Sequence, residues 1–104
     1  MEYRELGNTS LKISTICLGT MNFNNPVSET DSINMIHWAI DKGINFIDTA
    51  DVYEGYDRFL GSPGGKAESI IGKALAGRRN EVLITTKVGN HVADSTYDGK
   101  GLGT

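Results

Sequence analysis

The chain has 104 residues, with 10 lysines and arginines against 13 aspartates and glutamates and a formal net charge of −3. That is room for one small domain, and the interspersed charges leave no basic stripe for a nucleic acid and no polybasic segment for an anionic membrane. No apolar run nears the roughly 20 residues of a membrane span, and MEYRELGNTS has neither the basic start nor the apolar core of a signal peptide, so the expected compartment is the cytoplasm.

EYREL and LKIST alternate apolar and polar residues around GNTS, a turn-forming tetrad, which predicts an N-terminal β-hairpin over residues 3–14. STICLG then reads as a short buried strand closed by Gly19. Cys17, the single cysteine, lies in this apolar run; it has no disulfide partner in the chain and is expected to be a packed thiol. From Ser28 the period changes. Ile33, Ile36 and Ile40, flanked by Met35 and Ala39, recur at helical spacing, with Ser28 and Asp31 as an approximate capping pair and Gly43 as the stop.

INFI follows as a second buried strand. Beyond a polar, glycine-rich stretch, Ala67, Ile70, Ile71, Ala74 and Leu75 fit one face of a second helix ending near Gly77, and EVLITTK is a third strand. Strand, helix, strand, helix, strand is the order of parallel βαβ units in an α/β fold. The strands are apolar nearly throughout, which predicts helices over one face of the sheet and another layer over the other. Residues 88–104 form a glycine-rich loop tail without periodicity.

In parallel α/β architectures the reacting groups collect at the carboxyl ends of strands. Asp48 ends INFI and Lys87 ends VLITT, so one βαβ step brings an acid and an amine to adjacent strand ends, and Tyr53 lies on the loop that leaves Asp48. A free phenol has a pKa of about 10; bringing it close to neutrality requires about three units, equivalent to roughly 4 kcal/mol. A neighbouring ammonium supplies that, and a carboxylate beside the ammonium keeps it charged and oriented, which suits Asp48, Lys87 and Tyr53 to general acid catalysis. The structural alternative is that Asp48 caps a turn beginning at Thr49 and that Lys87 is a solvated strand end.

LGTMNF, GINFIDTADVY, ESIIGKAL and VLITTKVG, in this order and spacing, resemble the aldo-keto reductase superfamily along most of the chain. The likeness is greatest to the bacterial branch that is also similar to voltage-gated potassium channel beta subunits. The resemblance implies a TIM (β/α)₈ barrel that binds a nicotinamide cofactor, usually NADPH with NADH as the alternative, and reduces aldehydes and ketones to alcohols. It implies Asp48 and Lys87 as a supporting pair and Tyr53 as proton donor to the carbonyl oxygen. Gly19, Thr20 and Met21 would line the nicotinamide ribose, and Asp48 would contact the same end of the cofactor.

The family's fourth residue, a histidine at the end of the next strand, has no equivalent here. His91 is four residues past Lys87 in the loop, where at most it contacts substrate. A barrel of this type needs roughly 250 residues. Residues 1–104 are therefore expected to be one partial domain, the first three strands of an incomplete barrel, inactive alone and able to self-associate through unpaired sheet edges. A cofactor-binding regulatory module of the channel-subunit type is the alternative function.

The remaining signals are structural. GSPGGKA lacks the glycine spacing and the Ser or Thr after lysine of a phosphate-binding loop, and lengthens the approach to the second helix. Glu54, Asp57 and Glu68 are expected to be solvated, and no His, Cys and carboxylate cluster has metal-ligand spacing. Asp51 is expected to cap the loop. Trp38 and Phe46 are expected to be core or helix-packing residues, His37 to be partly buried or packed at the surface, and Phe23 and Phe59 to lie on rim loops beside a pocket.

Overall fold

A computed structural model describes residues 1–59 and 61–89. The expected tail therefore lies outside the described residues except for Val88 and Gly89, and His91 lies wholly outside them.

Strands β1 (Tyr3–Glu5) and β2 (Lys12–Ser14) pair antiparallel, Arg4 opposite Ile13, so the predicted hairpin is present. Asn45 ties it to the rest of the chain. Its Oδ1 accepts from the Ser14 N–H at 2.7 Å, its Nδ2 donates to the Lys12 carbonyl at 2.9 Å, and its own N–H donates to Ser14 Oγ at 3.1 Å. The hairpin is thereby fixed beside the amino end of the second strand of the main sheet.

That sheet has three parallel strands in the order β3 (Leu18–Gly19), β4 (Phe46–Asp48) and β5 (Leu83–Thr85). Two helices complete the units: α1 (Glu29–Asp41) joins β3 to β4, and α2 (Lys66–Ala74) joins β4 to β5. The cap read from sequence is formed, because Ser28 Oγ accepts from the Asp31 N–H at 3.1 Å and satisfies a donor that the helix itself cannot. After α1 the chain reverses at Gly43, whose φ of +95° disfavours a side chain; a Cβ there would lie 3.0 Å from the Tyr3 hydroxyl.

Period-two alternation sorts the strands into two faces. Leu18, Ile47 and Ile84 turn toward the helices and join a core of Phe23, Ile36, Ala67, Ile70, Ile71 and Leu75. Cys17, Gly19, Phe46, Asp48 and Thr85 fall on the alternate positions. Across the ends of the strands the register sets Gly19 beside Asp48 and Asp48 beside Thr85.

Several sequence expectations change, among them Phe46, which is half-buried on the face opposite the core positions rather than in the core. Cys17 is exposed rather than packed, because it occupies the face that no described helix covers. Trp38 is 59% exposed on the outer side of α1, with the Lys42 ammonium 5.9 Å from its ring centroid. Glu54, expected in solvent, is 1% exposed. Phe23, on the loop after β3, lines the cleft described next as expected but is also buried in the core, whereas Phe59 is exposed.

Candidate active site

The carboxyl end of the sheet gathers three predicted residues within direct contact. Lys87 Nζ donates to Asp48 Oδ2 at 2.8 Å, to the Thr49 carbonyl at 3.0 Å and to the Tyr53 hydroxyl at 3.1 Å. An ammonium has three protons, so all are directed. The same nitrogen lies 4.8 Å from the centroid of the Tyr53 ring.

The backbone explains how residues on separate segments meet. Beyond the ends of β4 and β5 the ladder continues, with the Thr49 N–H donating to the Thr85 carbonyl at 2.8 Å and the Asp51 N–H to the Lys87 carbonyl at 3.3 Å. A turn then brings the Tyr53 N–H to the Ala50 carbonyl at 3.2 Å, and the Tyr53 carbonyl accepts from Ala67 N–H at 3.0 Å in the first turn of α2. Five residues after Asp48 the phenol is thus carried back to the strand end. Asp48 does not cap a turn at Thr49 through its side chain: both carboxylate oxygens are bound elsewhere.

The second of those oxygens engages a residue that sequence reading missed. Thr85 Oγ1 donates to Asp48 Oδ1 at 2.6 Å, while Lys87 holds Oδ2. Thr85 stands directly opposite Asp48 and, two residues before Lys87, on the same side of the chain. A hydroxyl at the second position before a strand-end lysine was the available signal, but it acquires meaning only once the register is known.

Electrostatics follow from these contacts. The hydrogen bond from Lys87, and then the one from Thr85, hold the Asp48 carboxyl below the usual carboxylate range. Asp48, and then Tyr53, push the Lys87 ammonium above the usual lysine range. At neutral pH the pair is therefore ionised, with a protonated lysine facing the phenol oxygen.

Gly19, Thr20, Met21, Phe23, Asp48 and Tyr53 line a cleft of about 340 Å³ beside this cluster. A Cβ built on Gly19 would meet no atom within 4 Å, so the glycine leaves open space at the strand end next to Asp48. Thr20 is buried and spends its hydroxyl on the Asp48 carbonyl at 3.0 Å, whereas Met21 is 62% exposed at the edge. Thr20 thus ties the start of the loop after β3 to the end of β4.

The other candidates stand apart. His37 Nε2 lies 2.8 Å from the Ala74 carbonyl, in the seam between α1 and α2. Asp51 takes part in the loop through its backbone, its carbonyl accepting from the Gly65 N–H at 2.7 Å, while its Oδ1 is buried without a partner. Among the described residues no group of three or more His, Cys, Asp and Glu side chains is placed to hold a metal, and no helix is long and apolar enough to cross a membrane.

A profile of the aldo/keto reductase family matches residues 15–102. The chain is 43% identical over 97 residues to the oxidoreductase YrpG of Bacillus subtilis, covering 90% of this chain and 28% of that protein. It is 34% identical over 92 residues to a probable voltage-gated potassium channel subunit beta of Arabidopsis thaliana, covering 85% of this chain and 25% of the subunit. The structure of an aldo-keto reductase from Bacillus halodurans, in its holo form, matches with a TM-score of 0.73 and 33% identity over 95% of this chain and 29% of that one. The chain therefore spans under a third of the length of these relatives.

Proposed function

The chain belongs to the aldo/keto reductase family, and from that premise we propose that the Asp48, Lys87 and Tyr53 cluster serves nicotinamide-dependent reduction of an aldehyde or ketone to an alcohol. The observation that carries the reading is the three-way contact of Lys87 Nζ with a carboxylate, a carbonyl and a phenol at one strand end.

Each residue has a distinct task. Tyr53 holds, on its phenol oxygen, the proton destined for the carbonyl oxygen of the substrate. The Lys87 ammonium donates to that phenol oxygen and stabilises the negative charge that grows on it as the proton leaves. Asp48 keeps the ammonium charged and aimed. The aromatic ring adds to the attraction, since a cation near its face is favourable.

The cleft suits a flat ring at the strand ends, because Gly19 presents backbone with nothing in front of it. Gly19, Thr20, Met21 and Asp48 are the residues that would hold a nicotinamide cofactor, NADPH in preference to NADH. When bound, that cofactor supplies the hydride.

Residues 1–104 are read as one partial domain, the first three strands of a (β/α)₈ barrel with the hairpin ahead of them. Three parallel strands in sequential order and the match to 29% of the Bacillus halodurans chain support this. A cytoplasmic enzyme acting on a small carbonyl compound is the resulting picture, with the outer edges of β3 and β5, unpaired among the described residues, open to self-association.

The test is a chimera in which this chain replaces the matching segment of the Bacillus halodurans reductase. It should oxidise NADPH in the presence of aldehydes or ketones, and Tyr53→Phe should lower kcat by about 10²- to 10⁴-fold. Turnover that survives Tyr53→Phe unchanged would refute the catalytic assignment. The likeness to a channel beta subunit favours one further reading, a cofactor-binding regulatory module. Tight NADPH binding without appreciable turnover in the same chimera would select it.

A further inference from the structure

Glu54 follows the phenol-bearing residue directly, and it is the one charged side chain among the described residues that is fully buried. Nothing in the proposed reaction uses it. A carboxylate removed from water is costly unless it is paired and hydrogen-bonded, so its surroundings show what it is held by.

Its Oε1 accepts from the Ser62 hydroxyl, itself buried, and from Arg58 Nη1 at 3.3 Å; the same Arg58 nitrogen donates to the Ser62 carbonyl at 3.3 Å. The carboxylate thereby closes the loop that runs from Glu54 to Ser62 upon itself. A second set of bonds fastens this closed loop to the one after β3. Asn24 Nδ2 donates to the Glu54 carbonyl at 3.0 Å and to Asp57 Oδ2 at 2.7 Å, Asn25 Nδ2 donates to Asp57 Oδ1 at 2.9 Å, and the Tyr56 N–H donates to the Asn25 carbonyl at 2.8 Å.

We infer that Glu54 is a positioning residue: its buried carboxylate locks the loop that sets the Tyr53 phenol against Lys87. Tyr53 itself is held by two backbone bonds, at Ala50 and Ala67, and by the Lys87 contact, and the chain after it by the Asn24, Asn25 and Tyr56 bonds as well as by the Glu54 carboxylate. Closing the chain immediately after Tyr53 removes the freedom of the loop to swing the ring off the ammonium. This role rests on the reading of Tyr53 as proton donor, but the contact it maintains is measurable without any turnover.

The experiment uses the chain with ¹³C-labelled tyrosine, the Tyr53 Cζ signal being assigned with Tyr53→Phe. Lys87→Met should displace that signal in the wild-type chain, which registers the Lys87 contact. In a Glu54→Ala background the same Lys87→Met change should lose most of its effect. Glu54→Gln, whose amide oxygen still accepts from Ser62 and Arg58, should restore it. If Glu54→Ala does not fold, Ser62→Ala removes one of the two donors more gently and should weaken the Lys87 effect in part. A folded Glu54→Ala or Ser62→Ala chain that keeps the full Lys87-dependent displacement would show that Glu54 only stabilises the loop, and would overturn the inference. So would a Glu54→Gln chain as disturbed as Glu54→Ala. Absent carbonyl reduction in the chimera, with the spectroscopic result as expected, would instead fault the catalytic reading and leave the positioning intact.

Discussion

Replacing Thr85 by valine keeps the branched shape of the side chain and deletes only the hydroxyl that donates to Asp48 Oδ1 at 2.6 Å. Hydrogen bonds to charged groups contribute about 1.5–3 kcal/mol when the partner is well sheltered. The Asp48 side chain is 35% exposed, so water replaces part of the lost bond, and a loss of about 1 kcal/mol at pH 7 is expected. The sign of the pH dependence follows from the lowered Asp48 pKa. A group whose folded pKa is depressed contributes stability that is present above the unfolded value of about 3.9 and lost as the pH falls through the folded one. The gap between wild type and Thr85→Val should therefore shrink as the pH drops below about 4. Urea unfolding on either side of that pH measures the gap, and a ¹³C carboxyl titration should show the Asp48 midpoint moving up toward the ordinary range. Because Lys87 remains the larger cause of the depression, the midpoint should not return fully; Thr85→Ser should leave it nearly in place. An unmoved Asp48 midpoint in Thr85→Val, or a stability gap that ignores pH, would refute the reasoning.

Other perturbations test other parts of the chain. Ile36, on α1, is completely buried in the core, so Ile36→Ala should cost about 2–5 kcal/mol in chemical denaturation; a loss below 1 kcal/mol would place the core elsewhere. Gly55 has a φ of +60° and a Cβ there would come within 1.7 Å of the Asn25 carbonyl oxygen, so Gly55→Ala should lower the melting temperature more than Gly77→Ala, whose Cβ meets nothing within 4 Å. The raised Lys87 pKa acts in the opposite direction to that of Asp48: its stabilising effect is fully present at neutral pH and is lost only as the pH rises through the elevated folded value. Stability curves for wild type and Lys87→Met should accordingly converge in the alkaline range, and parallel curves there would contradict the ion pair.

What could be read from the residues was whatever depends on local periodicity and chain order. Both helices, the cap at Ser28, the stop at Gly43 and the meeting of Asp48, Tyr53 and Lys87 all follow from spacing, because strand ends in a parallel sheet are brought together by topology alone. Cys17 and Leu18 show where this fails. Both belong to one apolar run, and only the direction of the alternation decides which of them enters the core. Thr85 was hidden for a related reason, since its value lies in standing opposite Asp48, a fact of register. Glu54 and Trp38 were misjudged from residue type. An acid between two loops finds Ser62 and Arg58 there, while an aromatic residue on a helix finds solvent when the apolar stripe of Ile33, Ile36 and Ile40 already fills the contact.

The exposed ring on α1 has an optical consequence. Trp38 is the single tryptophan of the chain, and it is already wet in the native state. Its emission is therefore that of a solvated indole before unfolding begins and changes little when the core melts. With the Lys42 ammonium 5.9 Å from the ring, anionic quenchers are drawn to it in preference to cationic ones. The residue is consequently a poor reporter of folding but a selective one for events on the outer surface of α1. A blue shift accompanied by loss of iodide quenching registers another molecule, or another copy of the chain, settling over that helix.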